Sequence, residues 1–260
     1  MVPLIQVKNL YKSFHGKQIL KNLNLEIYDG EIFVILGQSG SGKTILLKHF
    51  MGFIKPDSGS VSIDGDEMSQ LEGRKLYERL KNIGMIFQMG ALFDSMTVGE
   101  NISFYLNEHR IKGGKKIRKS DIAGLVKEAL KKVGLEDTED LYPSSLSGGM
   151  KKRASIARSV VFEPDYLFYD EPTTGLDPLT AQTVAELIVK QQEQLKATTV
   201  VVSHDIVTTL YIADRIALIE DGEISIVAPP EEFMNHNHPS INHLNAMIGR
   251  NYNLIRNRRS

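Results

Sequence analysis

Residues 32–44 read IFVILGQSGSGKT, and ILLKHF follows. This stretch restricts the fold more than any other. Ile32 to Leu36 is an unbroken apolar run of strand length, the pattern of a strand buried on both faces of a parallel sheet. It leads directly into Gly37, Gln38, Ser39, Gly40, Ser41, Gly42, Lys43 and Thr44, which fit the spacing G-x-x-x-x-G-K-[ST]. A helix-like run, Lys43 to Met51, comes next. Glycines let the backbone curl so that successive N–H groups face an anion. Lys43 brings a point charge to β- and γ-phosphates, and the Thr44 hydroxyl suits Mg²⁺. A chance glycine turn would lack the buried strand before it and the helix after it. The stretch therefore predicts the phosphate-binding strand–loop–helix of an α/β nucleotide-binding fold.

A second motif supplies the other half. YLFYDEP, residues 166–172, is an apolar strand ending in two carboxylates. Asp170 suits Mg²⁺, and Glu171 can orient or activate water beside a γ-phosphate. An acidic pair at a strand end is common, so this motif is weak alone. Paired with the loop at Gly37 it predicts a P-loop NTPase. LSGGM, residues 146–150, then poses a question. It precedes the helix-like KKRASIARS, so its backbone N–H groups and the helix dipole offer a second anion site.

Strands are expected where Ile5/Val7 and Leu23/Leu25/Ile27 alternate with polar residues, with a turn at Asp29-Gly30. Ser120-Asp121 is read as the cap of a helix that gathers Ile122, Leu125, Val126, Ala129, Leu130 and Val133 on one face, with Gly134 as its stop. Further on, the pattern predicts a strand at 166–169, a helix at 178–195, a strand at 198–203 and a helix near 206–213. Strands near 215–220 and 223–227 follow, then a short helix with Pro230 in its first turn; the closing RNRRS reads as frayed. The basic run Arg110 to Lys119 reads as an exposed loop between helices, with contact to anionic lipid headgroups as the sharper alternative. His236, His238 and His243 lie close together, but no carboxylate or cysteine completes a metal set.

Composition excludes several classes. The 260 residues contain no cysteine, so there is no disulfide framework, thiolate metal site or cysteine nucleophile. A net charge of −1 gives no electrostatic footprint for nucleic acid. The start lacks the pattern of a signal peptide, and the longest apolar run, near Thr198 to Val202, is of strand length. The expectation is a cytoplasmic chain whose membrane role, if it has one, comes through partners.

The order of motifs resembles that of the nucleotide-binding subunits of ATP-binding cassette (ABC) transporters, over about residues 4–228. Tyr11 stands where that family stacks adenine. Gln88, in MIFQMGALF, matches the Q-loop glutamine, which also ligates Mg²⁺; LSGGM matches the signature LSGGQ, with Met150 as the departure. Thr174 to Asp177 matches the D-loop, and His204 the switch histidine. The resemblance implies an α/β P-loop NTPase (ABC ATPase) core with an N-terminal antiparallel β lobe and an inserted α-helical subdomain. It divides the chain into a core with its β lobe (1–89 and 163–228), a helical signature subdomain (90–162) and a C-terminal tail (229–260). It implies ATP and Mg²⁺ as cofactors, Glu171, His204 and Gln88 as catalytic residues, and Thr44, Gln88 and Asp170 at the metal. It also answers the question of the second glycine turn. Ser147, Gly148 and Gly149 would face ATP held by a second copy, packed head to tail, with Asp177 beside the nucleotide and the basic helix adding favourable field.

GALF after Gln88, and LSGGM before basic residues, resemble the Mla and related MCE-type phospholipid transport ATPases. That implies multi-pass permease subunits, an MCE-domain lipid-binding protein and, in the Mla case, a STAS-domain protein. Met89 to Val98 becomes the expected permease-docking surface. Two other readings stay open: an ABC ATPase for another small-molecule cargo, and a soluble ABC clamp on ribosome or DNA.

Overall fold

A computed structural model describes residues 2–88 and 90–248. In chain order its elements are β1 (Ile5–Phe14), β2 (Lys17–Ile27), β3 (Ile32–Leu36), α1 (Lys43–Phe50), β4 (Ser58–Ile63), β5 (Asp66–Glu67), α2 (Gly73–Leu80) and β6 (Ile83–Ile86). There follow α3 (Val98–His109), β7 (Ile111–Lys112), β8 (Lys115–Lys116), α4 (Ile122–Lys132), α5 (Gly148–Val160) and β9 (Tyr166–Asp170). The last are α6 (Pro178–Leu195), β10 (Thr198–Ser203), α7 (Ile206–Ile212), β11 (Arg215–Glu220), β12 (Glu223–Ala228), α8 (Pro230–Asn235) and α9 (Pro239–Ile248). The chain forms two compact units, Met1–Lys81 with Thr198–Ser260, and Asn82–Ala197.

The first unit holds an antiparallel sheet of order β2-β1-β4-β5. Its alternating apolar residues, among them Ile5, Val7, Leu23, Leu25 and Ile27, are buried. The same unit holds β3 between two parallel neighbours, β10 and β11, with β12 antiparallel to β11. A parallel strand covered on both faces reads as a near-continuous apolar run; all five residues of β3 are buried. Asp214 locks its start, exchanging bonds with the Ile32 N–H (2.8 Å, to Oδ2) and the Ile32 carbonyl (2.9 Å, from its own N–H).

The second unit pairs β6 with β9 in parallel and packs α3, α4, α5 and α6. On α4 the residues Ile122, Val126, Ala129 and Leu130 are buried, as is Val133 just past its end, while Leu125 is half-buried. The cap expected of Ser120-Asp121 does not form. Asp121 already has helical backbone angles, and its carboxylate accepts instead from Arg118 (3.1 and 3.2 Å) and the Ser120 hydroxyl (3.1 Å). The basic run at 110–119 is not a loop but a small antiparallel hairpin, β7–β8. Gly113 and Gly114 turn it with φ +50° and +71°, angles that L side chains resist. The Gly113 N–H donates to the Phe162 carbonyl (2.9 Å), and Lys112 pairs with Glu163 at 2.8 Å. No helix among the described residues is long and apolar enough to cross a membrane.

Candidate active site

In the first unit the register of β3 against its neighbours aims the glycine loop. Leu36 stands opposite Ser203 and Leu218, and the Gly37 N–H donates to the Ser203 carbonyl at 3.2 Å. The loop thus begins beside His204. Gly37 has no room for a side chain, since a Cβ there would lie 2.5 Å from the Ile219 carbonyl oxygen. Gly40 and Gly42 take φ +84° and +101°, and Gly42 caps α1. Lys43 is buried, and its Nζ donates back across the loop to the carbonyls of Gly37 (2.8 Å) and Gln38 (2.9 Å). Ser41 Oγ is buried and finds no hydrogen-bond partner among the described residues. Gln38, Ser39 and Gly40 are exposed. A curled loop over a helix N-terminus, with a cation folded into it and an orphaned hydroxyl, is a receptacle for phosphate oxygens.

His204 is exposed at the end of β10, and the next residue, Asp205, caps α7 by accepting from the N–H groups of Val207 and Thr208. Gly37, Gln38, Ser39 and His204 line one cavity of about 570 Å³, and α9 supplies its other wall with Pro239, Ser240, His243 and Leu244. Sequence reasoning missed this wall, treating the residues after 228 as a separate tail. Two of the three clustered histidines also have other company: His238 Nε2 lies 3.5 Å from Glu220, and His243 faces the loop's cavity. Tyr11 is half-buried in β1, opposite Ser58, at a break in the register.

In the second unit β9 delivers both carboxylates nearly buried, Asp170 at 8 % and Glu171 at 9 % exposure. Glu171 takes φ +49°, a left-handed conformation rare outside glycine and often found where side chains are aimed for function. The Thr174 hydroxyl donates to its Oε2 at 3.1 Å. Asp177 caps α6, accepting from the N–H groups of Leu179 and Thr180 (3.1 Å each) and the Thr180 hydroxyl (2.6 Å). These bonds, led by that hydroxyl, hold its carboxyl below the ordinary range. Ser147 caps the 13-residue α5, its Oγ accepting from the Met150 N–H at 3.3 Å. Ser147 and Gly148 are exposed, so the helix N-terminus faces solvent. Gly149 is half-buried; a Cβ on it would meet Thr180 Cγ2 at 2.5 Å.

The basic residues after LSGGM are engaged more specifically than a general field. Lys152 is only 4 % exposed, and its Nζ donates to the carbonyls of Phe87 and Gln88. Burial lowers its pKa to about 8, against the opposing pull of Asp170 and Glu171. Arg153 caps the carbonyls of Val133 and Gly134, and Arg158 that of Ala91 at 2.6 Å. The Gln88 side chain is exposed. Of the expected docking surface, Met89 lies outside the described residues. Phe93 is 46 % exposed, 5.3 Å from the Phe104 ring and under the Arg158 guanidinium.

The oxygen donors expected at a metal, the Thr44 hydroxyl, the Asp170 carboxylate and the Gln88 amide, are hard ligands of the kind Mg²⁺ takes. The nearly buried carboxylate pair at Asp170 and Glu171 fits a divalent cation.

The pattern of the ABC transporter family matches residues 20–174. The chain is 39 % identical over 231 residues to the intermembrane phospholipid transport system ATP-binding protein MlaF of Haemophilus influenzae, covering 89 % of this chain and 86 % of that protein. It is 40 % identical over 225 residues to the methionine import ATP-binding protein MetN of Geobacillus kaustophilus, covering 86 % of this chain and 64 % of that one. Among solved structures, the post-hydrolysis dimer of the ATP-binding cassette MJ0796 with ADP and Pi superposes with a TM-score of 0.78 at 31 % identity, covering 87 % of this chain and 98 % of that one. The chain belongs to the ABC transporter family and is an ATPase subunit of that family.

Proposed function

We propose that this ATPase works as a head-to-tail pair of identical chains on two ATP molecules, drives a permease, and moves phospholipids in an Mla/MCE-type system. The observation that carries the cargo is the likeness to MlaF along nearly the full length of both chains. The likeness to MetN, at similar identity over less of that protein, favours a second reading, an importer of another small molecule. Partners under the first reading are a second copy, multi-pass permease subunits that hold this peripheral ATPase at the cytoplasmic face of the inner membrane, an MCE-domain lipid-binding protein and a STAS-domain protein.

Each residue has a role in this reading. The amides from Gly37 to Thr44, with Lys43 and the hydroxyls of Ser39 and Ser41, bind the β- and γ-phosphates, and Tyr11 stacks on adenine. Thr44, Asp170 and Gln88 would hold Mg²⁺, which when bound neutralises charge on the β- and γ-oxygens. Glu171 orients and polarises the attacking water, and His204 hydrogen-bonds the γ-phosphate. Ser147, Gly148 and Gly149 offer donors to the ATP of the second copy, and Asp177 lines the same interface. Such preorganised donors around a developing charge are the main source of rate enhancement in phosphoryl transfer. The segment Met89 to Val98 is the permease-docking surface in this reading, with the exposed Phe93 as its contact residue and Val98 buried at its end.

The test is purification of the tagged chain from membranes in mild detergent, with its partners identified by mass spectrometry. A permease with an MCE-domain protein is the expected result; a permease with a solute-binding protein overturns the lipid reading. In the same complex, Glu171→Gln should abolish turnover while retaining ATP and the dimer. Turnover at the wild-type rate refutes the role given to Glu171.

A further inference from the structure

The segment after β6 leaves the sheet, so its carbonyls have no ladder to join and must find other donors. Helix α5 provides them from a single side. Lys152 Nζ donates to the carbonyls of Phe87 (3.3 Å) and Gln88, and Arg158 to that of Ala91 (2.6 Å), while Ser159 Oγ reaches back to the Met85 carbonyl (2.9 Å) inside β6. Lys152 and Ser159 are two helical turns apart and so share a face. Lys152 is the most committed of the three. An ammonium buried to this degree is costly unless it finds acceptors inside the protein. It bonds two consecutive carbonyls of the Gln88 segment and sits within the electrostatic reach of Asp170 and Glu171.

We propose that Lys152 is a positioning residue: it fixes the main chain at Gln88 to the signature helix, so that the two move as one body beside the Asp170–Glu171 pair. The inference rests on the role proposed above for Gln88 and adds the device that places it. A signature helix repositioned by a second copy's nucleotide would carry Gln88 with it, because the link runs through main-chain carbonyls. Displacing a reacting group by about 1 Å can cost on the order of 100-fold in rate, so loss of the link should be visible in turnover.

The test uses the full chain with its co-purified partners. In Lys152→Met, hydrogen exchange without nucleotide should speed up across residues 87–91 and stay unchanged in the hairpin at 111–116. Unchanged exchange at 87–91 overturns the link. kcat should fall at least about 10-fold at an unchanged KM for ATP, and Lys152→Arg, which can still reach both carbonyls, should recover most of it. Faster exchange with unaltered kcat leaves a merely structural bond and overturns the positioning role. The double variant Lys152→Met with Gln88→Ala should be no slower than Gln88→Ala alone; multiplicative losses overturn the proposal. Wild-type turnover in Gln88→Ala sinks the reading of Gln88 itself, independently of the exchange result. Should Lys152→Met not fold, Lys152→Ala, which likewise has no donor to offer the two carbonyls, takes its place in every arm.

Discussion

Asn101 is fully buried in α3 and holds the segment that precedes that helix. Its Oδ1 accepts from the Phe93 N–H at 2.7 Å, and its Nδ2 donates to the carbonyls of Phe93 (3.1 Å), Met96 (3.2 Å) and Thr97 (2.9 Å). Two amide protons are shared among three carbonyls, so the side chain makes about three bonds' worth of interaction. At about 1 kcal/mol net each, Asn101→Ala should cost about 3 kcal/mol, read as a lower midpoint in urea at an unchanged slope. Asn101→Asp sharpens the test because it keeps the shape and the bond from Phe93 but turns the donor end into an acceptor facing three carbonyls. A buried carboxylate oxygen that faces three carbonyls with no donor costs roughly a further 1–3 kcal/mol, so Asn101→Asp should be less stable than Asn101→Ala at neutral pH. The sign with pH also follows. The new carboxyl would have a folded-state pKa above its unfolded value, so the folded state binds more protons. Stability of Asn101→Asp therefore rises as pH falls, and its deficit against Asn101→Ala shrinks. An Asn101→Asp protein as stable as Asn101→Ala at neutral pH would refute the assigned amide orientation and the argument built on it.

Burial holds the His49 imidazole below its ordinary value of 6.5, partly opposed by its bond to the Ile45 carbonyl. The unfolded chain then binds more protons, so stability should fall as pH drops through 6.5. His49→Gln should flatten that limb of the urea midpoint against pH; equal slopes in both proteins would refute the assignment. Gly149→Ala should be destabilised, because its Cβ meets Thr180 Cγ2 at 2.5 Å. Adding Thr180→Ser removes that methyl yet keeps the hydroxyl that donates to Asp177, and the double variant should melt higher than Gly149→Ala alone; simple additivity of the two changes would show that the contact is not the cause.

Local patterns carried much of this molecule. The buried run Ile32 to Leu36 forms β3, and the predicted bounds 178–195 and 198–203 coincide with α6 and β10. These segments announce themselves by apolar periodicity, Pro at a helix start and β-branched runs. What sequence reading missed depends on distant partners. LSGGM was legible as a helix start, but nothing local tells that Lys152 is buried against Phe87 and Gln88. The glycine at 37 was legible as a phosphate-loop residue, but the carbonyl of Ile219 that forbids a side chain there was not. Asn101 carried no signal, since a lone asparagine in a helix is usually exposed. The irregular stretch between β6 and α3 shows what these residues achieve together. Its carbonyls at Phe87, Gln88, Ala91, Phe93, Met96 and Thr97 all accept from side chains of α5 or α3. Its aromatic side chains meanwhile stay part-exposed, Phe87 at 39 % and Phe93 at 46 %. A loop whose backbone is tied from within can present apolar groups without the entropy cost of ordering them on contact. That is the property the permease-docking face proposed above needs if force is to pass from nucleotide to membrane partner.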